Sequence, residues 1–310
     1  MVMKVVHQAT SLPNWEERFN SLLTEIRVLT ARPIKSHPNI VQLAELVWTE
    51  TLTPKGLYYP GLILEGAEFS NLEFFQQPRV FSLLFHTKLS LCLDVAEGLE
   101  FLHACGIIHG DVKPANILLF HGHDGSGIPR AKISDFSHSL FECDAENGIL
   151  SWLGRTRPWS APETQNEIAQ DVTLANRSDI FSFGLLVLFV MLEDPDLFFQ
   201  VFNNIQLNEN EPYLAHAMEL MVHHDKDIDL LLLQEIFTQS LPTTATDRVS
   251  SLTEIIVSVD EGMVSRGRGP RHHANTPVKL TWSLKEMSNV INVSDKEHIN
   301  IFFYLQSTFR

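Results

Sequence analysis

Residues 107–119 read IIHGDVKPANILL, a short polar cluster set between two apolar runs. Asp111 and Asn116 stand five positions apart, with Lys113 between them. A carboxylate that takes the proton of an attacking hydroxyl, with an amide nearby to hold a magnesium ion, is the set that phosphoryl transfer to an alcohol requires. Lys113 adds a compact cation that would offset negative charge on the moving phosphoryl group. A metal bridging nucleotide phosphates needs a second carboxylate. Asp135 in KISDFSHS, at the end of an expected strand, is placed to supply it. An HGD triplet alone is a weak signal, and an acidic loop residue is usually a solvated turn. The ordered set HGDxKxxN, then a strand, then Asp-Phe, is much harder to obtain by chance.

The elements that would carry these residues are legible from hydrophobic periodicity. MVMKVV reads as a β-branched strand. In SLPNWEERFNSLLTEIRVLTA, Phe19, Leu22, Leu23, Ile26 and Leu29 recur at helical spacing, with Ser11 or Asn14 as the cap near Pro13. SHPNIVQLAELVWTE and KGLYYPGLILEG read as two strands around a turn. Residues 87–102 return to helical spacing through Leu89, Leu93, Ala96, Leu99 and Leu102. NILLF and AKISDF are short strands separated by a glycine- and proline-marked loop. Past Pro162 the pattern is helical: 180–192, then parts of 211–222, 226–239 and 250–258. A small sheet with one helix followed by a larger helical half predicts an α+β protein of two unequal lobes.

The bulk numbers bound the class. The chain has 310 residues, 44% hydrophobic and 20% charged, which suits a globular protein with a proper core. A formal net charge of −15 argues against general binding to nucleic acid or anionic membranes, and weakly favours basic partners. Cys92, Cys105 and Cys143 lack CxxC spacing, so neither a disulfide framework nor a zinc site is expected. The histidine pairs 121/123, 223/224 and 272/273 have no carboxylate or cysteine at ligand spacing and read as surface residues. The most apolar run, Ile180 to Leu192, is 13 residues, against the ~20 that a bilayer crossing takes, and reads as a buried helix. The N-terminus has no signal-peptide pattern. The expectation is an intracellular, cytoplasmic protein.

In its motifs and their order the chain resembles the eukaryotic protein kinase family, from residue 1 to about 258. Lys4 in VMKVV takes the place of the family's strand lysine, and Glu25, 21 residues on, that of its ion-pair partner. HPNIVQL at 37–43 resembles the helix-to-strand turn, and Leu64-Glu65 the gatekeeper and first hinge residue. SAPE at 160–163 resembles the close of the activation segment. The resemblance implies that Asp179 ties the central helix to the catalytic loop and that Arg248 pairs with Glu163. It also implies that Leu29, His109 and Phe136 stack as a spine, and that Leu118 lies under the adenine. Thr156 would bridge Asp111 and Lys113, as in serine/threonine kinases. DVKPAN fits that type rather than the tyrosine type. The implied cofactors are ATP and Mg2+, with Asn116 and Asp135 as metal ligands; the implied partner is a protein substrate. Expected domains are a partial N-lobe at 1–66, a C-lobe at 67–260, and a linker and tail at 261–310.

Three departures stand out. The first glycine is Gly56, so the phosphate-covering GxGxxG of the family is missing and the first two strands with it. A truncated chain of a complete kinase is the expected explanation, a degenerate one the alternative. Gly110 replaces the arginine that pairs with a phosphorylated activation loop in the family, which implies that this switch is not used. Ser137 replaces the glycine after Asp135-Phe136, and a restricted flip of that pair is expected. Small-molecule phosphotransferases of the aminoglycoside and choline type also carry HGDxxxxN, but lack the APE segment and the Lys-Pro after Asp111. The expected activity is ATP-dependent phosphorylation of serine and threonine; the alternative is a weak or inactive pseudokinase acting as an interaction module.

Overall fold

A computed structural model describes residues 1–5, 15–50, 58–75, 83–122, 128–151, 156–166, 169–203, 212–224 and 229–264. Its small half comprises β1 (Val2–Lys4), α1 (Trp15–Leu29), β2 (Leu43–Glu50) and β3 (Tyr58–Leu64). The strands form an antiparallel sheet in the order β1-β3-β2, with Lys4 opposite Leu62 and Leu43 opposite Leu64. The periodic residues of α1 do what their spacing predicts: Phe19, Leu22, Leu23, Ile26 and Leu29 are all buried. The proposed caps Ser11 and Asn14 lie outside the described residues.

The larger half begins with the short helix α2 (Leu72–Phe75) and the long α3 (Phe85–Ala104), most of whose residues are buried. Strands β4 (Ile107–Ile108), β5 (Ile117–Phe120), β6 (Arg130–Ile133), β7 (Leu140–Phe141) and β8 (Ile149–Ser151) follow, then α4 (Pro162–Asn166) and β9 (Ala169–Asp171). They pair antiparallel as β4 with β7, β5 with β6 and β8 with β9. The remainder is helical: α5 (Asn176–Leu192), α6 (Pro195–Phe202), α7 (Pro212–His224), α8 (Leu230–Ser240) and α9 (Leu252–Val264). The two-lobed α+β architecture is therefore present. Several boundaries differ from expectation, among them the strand read as SHPNIVQLAELVWTE, which begins only at Leu43. The strand read as AKISDF stops at Ile133, two residues before Asp135. Helix α9 runs to Val264, into the span expected to be linker, because no proline interrupts it before Pro270 and one glycine does not stop a helix.

Helix α5 is apolar on every side and is the core of the larger half, which is why its sequence shows no amphipathic stripe. Gly184 lets α8 approach it: a methyl group there would run into Ser240 and Leu241. Caps are built from acids. Asp194 Oδ1 accepts from Leu197 N at 2.9 Å to start α6. Glu100 Oε2, from α3, accepts from Leu252 N at 2.8 Å and Ser251 Oγ at 2.9 Å to start α9. Among the described residues no helix is long and apolar enough to cross a membrane.

The segment between α1 and β2 joins the halves. Ile133 N donates to Asn39 O at 2.8 Å and Val41 N to Ile133 O at 2.9 Å. His37 lies within this segment, its ring packed on Phe101 at 4.4 Å, and burial pushes its pKa down to about 4. The folded ring stays neutral where the unfolded one takes a proton, so stability is lost as pH falls from 6.5 to about 4 and is flat above that window. The loss reaches at most about 3 kcal/mol. Urea titrations of wild type and His37→Asn across that range check it: the variant should show the flatter dependence.

Candidate active site

The loop between β4 and β5 is held from beneath by Asp179, in the first turn of α5 and 1% exposed. Its Oδ2 accepts from His109 N at 2.7 Å, its Oδ1 from Gly110 N at 2.9 Å, and His103 Nε2 lies 2.9 Å from Oδ2. Gly110 reaches this geometry with φ +78°, a left-handed conformation that a side chain disfavours. The glycine therefore has a backbone reason as well as the regulatory one expected from sequence. His109 is fully buried; its Nδ1 accepts from Asp111 N at 3.2 Å, which leaves Nε2 to donate to Ser134 O at 3.1 Å. Its ring meets that of Phe136 at 5.3 Å, edge to face, and Leu29 is buried too.

With its backbone fixed, Asp111 presents a carboxylate to three partners. Thr156 Oγ1 donates to Oδ1 at 2.8 Å, Lys113 Nζ lies 2.6 Å from Oδ2, and Asn116 Nδ2 donates to Oδ2 at 3.0 Å. Asn116 also donates to Asp111 O at 2.8 Å, and Lys113 Nζ donates to Thr156 Oγ1 at 3.2 Å. Thr156 comes from 45 residues downstream. It is anchored through Trp159, whose ring stacks on Phe198 at 4.9 Å and whose carbonyl accepts from Ser182 Oγ of α5 at 2.8 Å. The four residues form one connected cluster.

A second cluster gathers around Lys4. Its Nζ lies 2.7 Å from Glu25 Oε2 and 2.9 Å from Asp135 Oδ1, so β1, α1 and the segment after β6 meet at one ammonium. Burial works against the charge on Lys4, but the two carboxylates outweigh it and raise its pKa. The cost of sharing one cation falls on Glu25, only 1% exposed, whose carboxyl burial pushes above the usual range. Asp135 is 38% exposed; burial would raise its pKa, but Lys4 and the Ser137 hydroxyl pull it down to about 2. Asp135 has φ +61°, whereas Ser137 is not among the described residues with positive φ. The strained position is the aspartate, and the serine sits in ordinary backbone with its hydroxyl 3.1 Å from His138 Nδ1. Asn116 O ties the two clusters by accepting from Ser134 N and Ser134 Oγ, each at 2.9 Å.

Leu64 ends β3, and Leu118, half-buried on β5, pairs in register with Lys132. The Glu65 side chain is taken up locally: Lys132 Nζ lies 2.7 Å from Oε1 and 2.8 Å from Oε2, and Gln42 N donates to Oε1 at 2.8 Å. Reading the residues did not single out Lys132, His103 or His138, whose Nδ1 is 3.9 Å from Asp111 Oδ2. No spacing rule marks a lone lysine or histidine whose partner is far away in sequence.

A family profile described as protein kinase domain matches residues 1–260. The chain is 30% identical over 190 residues to the serine/threonine/tyrosine-protein kinase HT1 of Arabidopsis thaliana, covering 60% of this chain and 42% of that one. It is 33% identical over 150 residues to a calcium/calmodulin-dependent protein kinase kinase of Caenorhabditis elegans, covering 48% and 25%. It is 37% identical over 107 residues to the probable serine/threonine-protein kinase gdt9 of Dictyostelium discoideum, covering 34% and 6%. The chain thus spans less than half the length of each of these relatives.

Proposed function

This chain belongs to the protein kinase family, and from that premise we propose that it transfers the γ-phosphoryl group of ATP to serine and threonine hydroxyls of protein substrates. The observation that carries the reading is the closed cluster of Asp111, Lys113, Thr156 and Asn116. The acceptor hydroxyl gives its proton to Asp111 as its oxygen bonds to the γ-phosphorus, and the bond from that phosphorus to the ADP oxygen breaks. Lys113 offsets charge on the transferred group. Thr156 holds Lys113 and Asp111 in register. Lys4, fixed by Glu25, positions the α- and β-phosphates. Leu118 would lie under the adenine, with Leu64 as the gatekeeper. The Glu65 side chain is committed to Lys132, so this residue serves the nucleotide through its main chain.

Asn116 and Asp135 fit a magnesium ion. Both offer oxygen, the donor that hard cations take. Asp135 stays ionised far below neutral pH, and Asn116 spends its Nδ2 on Asp111, which keeps its Oδ1 for a cation. Bound there, the ion would neutralise charge on the nucleotide phosphates. We assign residues 1–66 to the small lobe and 67–260 to the large lobe. The acidic chain, with formal net charge −15, favours basic substrate segments.

Calorimetry of ATP binding with and without MgCl2 tests the nucleotide half of this reading. Wild type should bind more tightly with magnesium. Asp135→Asn should lose that gain, and Lys4→Met should weaken binding about tenfold or more in either condition. Binding that is indifferent to magnesium and to both substitutions would contradict the assignment.

A further inference from the structure

Helix α1 has a second tether that the two clusters above do not include. Arg27 lies two residues beyond Glu25, about 200° around the helix, so the two side chains leave on different sides. The Arg27 side chain is only 10% exposed. Its guanidinium grips Asp144 with both terminal nitrogens, Nη1 to Oδ2 and Nη2 to Oδ1, the latter at 2.8 Å. It also lies 3.7 Å over the Phe141 ring, with Nη2 3.3 Å from Cys143 Sγ. Phe141 ends β7, and Asp144 closes the 3₁₀ turn Glu142–Asp144 that follows. Strand β7 pairs with β4, which leads straight into His109 and Asp111. The segment gripped by Arg27 is thus bonded to the base of the catalytic loop.

Were α1 to roll on its packed apolar face or swing away, Glu25 would leave Lys4. Two tethers on different sides remove that freedom. We propose that Arg27 is a positioning residue: by gripping Asp144 and Phe141 it holds α1 where Glu25 meets Lys4, so the site is assembled with no phosphate on the segment after Asp135. The proposal rests on the kinase reading above. A bidentate guanidinium–carboxylate pair is the strong, directional form of ion pair. Asp144 supplies permanently the kind of charge that a phosphorylated side chain would add by regulation. Gly110 offers no cation beside the loop for such a phosphate, and Lys113 is already engaged by Asp111 and Thr156.

The test uses the full chain after phosphatase treatment, as wild type, Arg27→Glu, Asp144→Arg and the double reversal. Amide hydrogen exchange across α1 reads the clamp without relying on catalysis. Each single reversal should speed α1 exchange about tenfold, and the double should return it to within about threefold of wild type. The kcat for a serine peptide should follow the same pattern with its KM unchanged, and phosphatase treatment of wild type should leave kcat within about twofold. Should a reversal fail to fold, Asp144→Asn reads the same exchange with a smaller rise, about threefold. The proposal is overturned by a double variant as fast as the singles, by α1 exchange unchanged in every variant, or by a tenfold loss of kcat on phosphatase treatment. A protein that shows the exchange pattern but transfers no phosphate supports the clamp and overturns the kinase reading instead.

Discussion

Asp111→Asn should lower phosphate transfer about a thousandfold while leaving the ATP dissociation constant within about threefold. The carboxylate is 6% exposed and held by Thr156, Lys113 and Asn116, so its orientation is fixed before any acceptor arrives. An asparagine fills the same volume but has no basic oxygen to take the hydroxyl proton. The nucleotide is assigned to the other cluster, around Lys4, Glu25 and Asp135, which is separated from Asp111 by intervening residues such as Ser134, Asn116 and His109. Binding should therefore survive where transfer does not. Steady-state kinetics with a serine peptide, alongside calorimetry with ATP, separates the two effects. Equal loss of both would mean that the substitution disturbed the loop as a whole.

The second large effect is on stability. Arg248→Ala should cost about 3–5 kcal/mol, the range for breaking a buried ion pair by removing one partner. The Arg248 side chain is fully buried, and its guanidinium meets Glu163 twice, at 2.6 and 2.8 Å. It also donates to Pro242 O at 2.8 Å, Thr243 O at 2.9 Å and Arg177 O at 3.0 Å, and lies 4.8 Å from the Phe181 ring. Truncation strands three carbonyls and a carboxylate that is 18% exposed. Thermal melts should show a fall of about 10 °C or more. Replacing both partners, as Arg248→Met with Glu163→Leu, should recover part of the loss, because the uncompensated carboxylate goes too. A single-variant fall below about 1 kcal/mol would show that the pair contributes no more than a surface one.

What the sequence made legible followed local pattern and fixed spacing. Helix α1 was readable because five apolar residues keep one face, and the Asp111 loop because its polar residues sit within six positions. Lys4 and Glu25 were paired by a family spacing, and the structure does bring them to 2.7 Å. The least visible features join distant residues without a motif. Arg27 and Asp144 are 117 positions apart, and each looks like an ordinary surface charge on its own element. His103, which shares Asp179 with the loop, is simply the last histidine of a helix. Backbone conformation was equally hidden. Replacing a glycine by Ser137 drew attention to that position, yet the left-handed residue is Asp135, two places earlier. Gly110, read from its missing arginine, turned out to satisfy a turn that Asp179 fixes through two N–H groups.

The central claim is that the Asp111 cluster transfers phosphate to serine and threonine hydroxyls. The most direct measurement incubates the chain with γ-labelled ATP, MgCl2 and a basic peptide carrying one serine, one threonine and one tyrosine, then identifies the labelled residue. Wild type should label serine and threonine and leave tyrosine unlabelled, and Asp111→Asn under the same conditions should give about a thousandth of that signal. Equal labelling by the two proteins, or no labelling by wild type that binds magnesium and ATP, would contradict it.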